Sequence, residues 1–134
     1  MASHQVPADL RYTKDHEWVR VAGEIATIGI TDFAQSSLGD IVFVDLPKVG
    51  VELNQNETFG SVEAVKTVSD LYSPVGGSVT AVNELIESDP AVVNRSPYGD
   101  GWMIQARIRD ASEVESLMTA DEYTAHVAGL EQGA

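Results

Sequence analysis

Residues 57–79 read ETFGSVEAVKTVSDLYSPVGGSV, and this stretch decides how the rest of the chain is arranged. Two β-rich runs, residues 61–65 and 68–72, flank a polar break at Lys66-Thr67, which is the pattern of a hairpin. A two-residue tip ordinarily takes Asn-Gly or Asp-Gly to supply positive φ, and Lys66-Thr67 offers neither. The reversal is therefore expected to be imposed by the strands and by whatever they pack on. Lys66 is one of three lysines, with Lys14 and Lys48, and the only one set among valines, Val65 and Val68. It reads either as a solvated turn residue, since turns favour polar side chains, or as an amine presented to a modifying enzyme.

Outward from the hairpin the signals are again short strands. Before it, residues 17–21 (EWVRV) and 25–30 (IATIGI) form a pair joined by a turn at Gly23-Glu24. Ile28 and Ile30 share one face, with Thr27 and Gly29 on the other. Thr31 is placed to cap a short helix over residues 32–38, with Asp32 favoured in its first turn and Gly39 ending it in a left-handed conformation. Residues 41–46 (IVFVDL) read as an apolar strand closed by Pro47, and residues 48–56 as a loop.

Beyond a turn at residues 73–77, the run at 78–82 (SVTAV) returns to the sheet. Residues 83–101 read as irregular, broken by Pro90, Pro97, Gly99 and Gly101. Residues 102–108 (WMIQARI) make a last strand. Two capping boxes then start helices, Ser112 to Glu115 and Thr119 to Glu122. Val114, Leu117 and Met118 should face the core from the first, Tyr123 and Val127 from the second. Trp18 and Trp102 are expected in the core. The prediction is a mainly β fold: a β-sandwich or flattened barrel of two sheets, with a short internal helix and a C-terminal helical cap. Residues 1–9 are expected to be a flexible tail and residues 10–134 a single domain.

Composition narrows the function. Eight basic residues against 21 acidic ones give the 134-residue chain a net charge of −13. That charge argues against phosphate backbones and anionic lipid surfaces as partners, and either suits transient docking on basic protein surfaces or merely maintains solubility. The absence of cysteine excludes disulfides, thiolate metal sites and a cysteine nucleophile, so thiol chemistry would need an attached group. Apolar runs are strand-sized, with no membrane-spanning stretch. The opening residues carry neither a secretory core nor an Arg-rich amphipathic pattern, so a bacterial cytosol is expected, with a mitochondrial matrix requiring a trimmed transit peptide.

Catalytic constellations are thin. His4, His16 and His126 lie far apart in sequence and read as solvated histidines without metal-ligand spacing, so no metal is expected. No Gly-rich loop opens a helix and no serine sits in a nucleophile elbow. The chain does not read as an enzyme with its own catalytic residues. Gly60, Gly76 and Gly77 are expected to serve backbone geometry.

Four stretches together carry a resemblance: YTKDHEWV (12–19), GITDFAQSSLGDIVFVDLP (29–47), FGSVEAVKTVSDLYSPVGGSV (59–79) and VNRSPYGDGWMI (93–104). In order and spacing they resemble the H protein of the glycine cleavage system, with Ala64 and Thr67 where that family most often has serine and alanine. The resemblance implies a lipoyl-carrier fold with (R)-lipoate in amide linkage to Lys66. It also implies a cycle of three partners, and lipoate-attaching enzymes besides. A pyridoxal-phosphate glycine decarboxylase (P protein) loads an aminomethyl group. A tetrahydrofolate-dependent aminomethyltransferase (T protein) takes the one-carbon unit and releases ammonia. A flavin-dependent dihydrolipoamide dehydrogenase (L protein) reoxidises the dithiol.

Glu17 and Asp70 are then candidates to receive the ammonium of the loaded arm, against the plainer reading that they are exposed polars like most acids in so acidic a chain. Glu63 is a candidate for recognition by the lipoylating enzyme. The rivals are a lipoyl or octanoyl relay carrier, a biotinyl or 2-oxo acid dehydrogenase swinging-arm module, and a scaffolding β-domain with an unmodified Lys66. A biotinyl carrier typically flanks its lysine with methionines, where this chain has Val65 and Thr67.

Overall fold

In the computed structural model, which describes residues 5–132, the chain opens with β1 (Arg11–Tyr12), β2 (Glu17–Ala22) and β3 (Ile25–Ile30). These join β9 (Ile104–Ile108), β8 (Gly77–Val82) and β5 (Glu52–Leu53) in a six-stranded antiparallel sheet of order β1-β2-β3-β9-β8-β5. The hairpin around Lys66 belongs to a second, three-stranded sheet of order β4-β6-β7, made of β4 (Ile41–Asp45), β6 (Thr58–Ala64) and β7 (Val68–Tyr72). The helix α1 (Asp32–Leu38) carries the chain from the first sheet to the second. The fold is the two-sheet, mainly β arrangement read from the sequence.

The main core lies between the sheets, with Ile28, Val79 and Ile104 from one meeting Val44, Val62 and Leu71 from the other. Each such side chain contributes about 1.5–3 kcal/mol on full burial. A smaller cluster covers the outer face of β2, where Leu10, Tyr12 and Trp18 pack with Tyr123 and Val127 of α5 (Ala120–Gln132). Tyr12 and Tyr123 stack there with ring centroids 4.7 Å apart. Covered on both faces at its start, β2 buries Glu17, Trp18 and Val19 in succession. Trp102 is half-buried against this second cluster.

Several local expectations hold for the physical reasons given. Thr31 Oγ1 accepts from the Ala34 amide at 3.2 Å, and Thr119 and Glu122 bond each other's amides reciprocally. Val114 and Leu117 pack on the main core, Met118 on the smaller cluster. The glycines at 60 and 77 serve close approach: a Cβ at either would collide with a neighbouring strand's carbonyl, that of Asp45 or Arg107.

Other expectations need correction. The region 83–101 is not irregular: α2 (Leu85–Ser88) and α3 (Val92–Arg95) each form a single turn, buried through Ile86, Val92 and Val93. Their brevity, bounded by Pro90 and Pro97, hides them from periodicity. The loop at 48–56 contains β5, which pairs with β8 at Glu52↔Ser78. The first capping box does not form, because Asp110 captures both the amide and the hydroxyl of Ser112 ahead of α4 (Ser112–Glu115). Gly39 has φ +82 but ψ −152, outside the left-handed helical region. Within the expected flexible tail of residues 1–9, Gln5 and Pro7 are tied to the domain. The Gln5 amide donates to Asp32 at 2.9 Å and its carbonyl accepts from Tyr98 at 2.6 Å, while the Pro7 carbonyl accepts from Tyr12.

Candidate functional site

The tip between β6 and β7 contains three residues, Val65-Lys66-Thr67, rather than two. None has positive φ, so the reversal does not use the usual hairpin chemistry. Two hydrogen bonds hold it: Ala64 N–H to Thr67 O at 2.8 Å, and Val65 N–H to Asp40 O at 3.0 Å. The second comes from outside the hairpin, from the connection between α1 and β4. All three tip residues are exposed, Val65 at 75%. The Lys66 stem lies over Gly39, where an added Cβ would meet Cε at 3.5 Å and Nζ at 3.9 Å.

A groove of about 210 Å³ runs beside α1, and Leu38, next to the Gly39 over which Lys66 lies, lines it. Its walls are apolar where Ile30, Phe33, Ala34, Leu38 and Leu71 meet, and acidic where Asp15, Glu17 and Asp70 enter. Two of the acids singled out in the sequence, Glu17 and Asp70, thus share one groove. They sit there very differently. Asp70 is exposed on β7, opposite Ser61. Glu17 is 1% exposed, which overturns its plainer reading as a surface polar.

The Glu17 carboxylate accepts from the Thr13 hydroxyl at 2.6 Å and from the Tyr72 amide at 3.3 Å, and none of the ion pairs among the described residues includes it. Burial pushes its pKa up to about 7, against the lowering effect of the Thr13 and Tyr72 hydrogen bonds. A buried carboxylate lacking a cation has an unfilled electrostatic need, and an incoming ammonium would meet it. Glu63 is elsewhere: exposed on the outer face of β6 between Phe43 and Val68, three residues before Lys66 and not in the groove.

Sequence reasoning missed the frame that fixes Glu17. His16 takes φ +73, a costly conformation for a residue with a Cβ, in a tight turn closed by Thr13 N–H to Glu17 O at 2.9 Å. It is half-buried rather than solvated. Its Nδ1 lies 2.8 Å from the Tyr123 hydroxyl, which in turn lies 2.7 Å from Thr31 Oγ1. Burial, reinforced by the nearby His126, lowers the His16 pKa despite Asp15. The two rings lie 5.8 Å apart although 110 positions separate them in sequence, so spacing held no clue. Among the described residues no group of three or more His, Cys, Asp or Glu could hold a metal; His4 lies outside them.

An exposed lysine on a strand-held tip, near a groove that pairs an apolar wall with a buried acid, fits a carrier module, one whose working group is attached rather than built from side chains. The comparisons agree. The family model for the glycine cleavage H-protein matches residues 10–129. The glycine cleavage system H protein of Geobacillus kaustophilus is 59% identical over 121 residues, covering 90% of this chain and 95% of that one. That of Anoxybacillus flavithermus is 59% identical over 118 residues, covering 88% and 93%. A crystal structure of a glycine cleavage system H protein from Mycobacterium marinum superposes with TM-score 0.85 at 40% identity, covering 92% of this chain and 99% of that one.

The chain belongs to the glycine cleavage H-protein family. It is a lipoyl carrier of the glycine cleavage system, a component that its partner enzymes act on and not itself a catalyst. No helix among the described residues is long and apolar enough to cross a membrane.

Proposed function

We propose that Lys66 is the attachment point of (R)-lipoate and that the groove beside α1 is where the loaded arm rests. The observation that carries this is the pairing of an exposed amine over Gly39 with a cation-free, buried Glu17 in the adjoining groove. The residues present fit the group: Phe33, Leu38 and Leu71 offer apolar contact to a hydrocarbon arm, and Glu17 with Asp70 offers charge to an ammonium. When bound, lipoate supplies a dithiolane that accepts the aminomethyl unit and is afterwards reoxidised.

The chain's own contributions are positional. The tip, exposed together with its flanking Val65 and Val68, leaves Lys66 in solvent, where amide formation removes the lysine charge. Tethering then raises the effective concentration of the arm's end at each docked partner. Glu17 receives the ammonium in a partly desolvated setting, Asp70 adds an exposed charge, and the apolar wall keeps water away. Glu63, outward and three residues before the lysine, is offered to the lipoate-attaching enzyme.

The partners are those of the cycle: the pyridoxal-phosphate glycine decarboxylase, the tetrahydrofolate-dependent aminomethyltransferase and the flavin-dependent dihydrolipoamide dehydrogenase. A surface as acidic as this favours basic docking faces on them. We place residues 10–134 in the bacterial cytosol as one carrier domain, in keeping with the bacterial relatives. The test is intact mass after expression in a lipoylating host. A lipoyl-sized increment on the unmutated chain that disappears in Lys66→Arg is expected. An unmodified chain under lipoate-replete conditions overturns the reading, and an increment surviving in Lys66→Arg overturns the site.

A further inference from the structure

The tip that presents Lys66 has a single internal hydrogen bond and is held from outside by Asp40, so whatever fixes Asp40 fixes the lysine. Asp40 is bracketed by one side chain. Asn94, on the one-turn helix α3, accepts from the Ile41 amide at 3.0 Å and donates to the Gly39 carbonyl at 2.8 Å. Its second N–H donates to Gln35 Oε1 of α1 at 3.0 Å. One carboxamide thus grips the chain on both sides of Asp40 and ties that connection to α1 as well. Its acceptor and both its donors are in use. Its own helix is anchored in the core by Val92 and Val93.

The Asp40 carbonyl between those two grips is the one that receives the Val65 amide, and Gly39 is the residue over which the Lys66 stem lies. From these contacts we infer that Asn94 is a positioning residue for Lys66, setting where the amine stands when a lipoate-attaching enzyme docks. This rests on the reading of Lys66 as the attachment point. Asn94 lies 28 positions from the lysine in a stretch read as irregular, and nothing in the hairpin's own sequence points to it. A loosened bracket leaves the fold's two sheets intact but lets the tip wander. Small misplacements of a reacting group are costly in rate.

The test has two independent readouts on the full chain, in Asn94→Ala and in Asn94→Asp. The second variant keeps the acceptor for Ile41 and replaces both donors with an acceptor facing the Gly39 and Gln35 oxygens. The first readout is amide hydrogen exchange at Val65, expected to rise about tenfold in both variants while the core amide of Val62 is unchanged. The second is lipoylation of the apo chain by a lipoate–protein ligase with lipoate and ATP. There kcat/KM is expected to fall about tenfold, with recovery when Asn94 is restored.

Unchanged Val65 exchange, or raised exchange with unchanged lipoylation kinetics, overturns the inference. Should both variants fail to fold, native-state exchange of the unmutated chain decides instead. The Ile41 and Val65 amides are expected to open together in one step, and clearly different opening free energies overturn the coupling. The Val65 readout holds whether or not Lys66 is the acceptor, and the intact mass of the unmutated chain settles that separately.

Discussion

The site has two ends, and they are built by opposite means. At one end, the Lys66 tip is exposed, free of backbone strain and held in part from outside its own hairpin. At the other, Glu17 is buried, set by a turn with His16 at positive φ, and framed by Thr13, Tyr72 and the Tyr123–Thr31 pair. The contrast fits the tasks. An amine that several enzymes must reach cannot be buried, whereas a carboxylate that is to hold a cation gains strength by leaving water. Presentation needs exposure; retention needs burial.

The largest expected effect falls on the exposed end. Lys66→Arg keeps a cation at the tip but removes the acylatable amine, and complete loss of the lipoyl increment by intact mass is expected. A partial increment would mean that the two ends are not specialised as described.

At the buried end, stability should carry the signature of Glu17. Its pKa of about 7 in the fold lies above the ordinary value of 4.5, so between those limits the folded chain keeps a proton that the unfolded chain has released. Stability is therefore lost as pH rises through that window, by roughly 3 kcal/mol at most, and the loss is complete above the folded pKa. Glu17→Gln should remove this slope. His16 titrates with the opposite sign, its pKa being lowered, but it is common to both proteins and drops out of their difference. Chemical denaturation of the two from pH 4 to 8 checks this; parallel curves would show that Glu17 is not held as described.

With the arm loaded, Glu17→Gln should shorten the lifetime of the aminomethyl unit about tenfold, the loss of one charge-assisted contact. Release of ammonia after loading by the decarboxylase measures it. Asp70→Asn should do less, about threefold at low salt and nothing at high salt, because an exposed charge is screened. Equal effects of the two substitutions would erase the distinction between the buried and the exposed acid of the groove.

What the sequence made legible follows the same divide. Alternating runs and turn residues marked the hairpins, α1 and the two-sheet plan, since these are set by near neighbours along the chain. Lys66 stood out because a lysine among valines at an ill-suited turn is a local anomaly. The resemblance carried by four motifs named Glu17, Asp70 and Glu63 but not what surrounds them. The burial of Glu17 depends on β7, whose Tyr72 amide reaches it from 55 positions away, and the His16–Tyr123 contact spans 107 positions. Helices of one turn, α2 and α3, are too short to show a period, and the sequence around Asn94 therefore carries no sign of its bracket on Asp40. Such features arise only when distant segments meet.

The most direct test of the account is the titration of the Glu17 carboxyl by carbon-detected NMR in the apo chain and in the chain bearing the loaded arm. A pKa near 7 without the arm, falling toward the ordinary carboxylate range once the ammonium is present, is the predicted result. An unchanged Glu17 pKa on loading would contradict the claim that the arm's cation rests there.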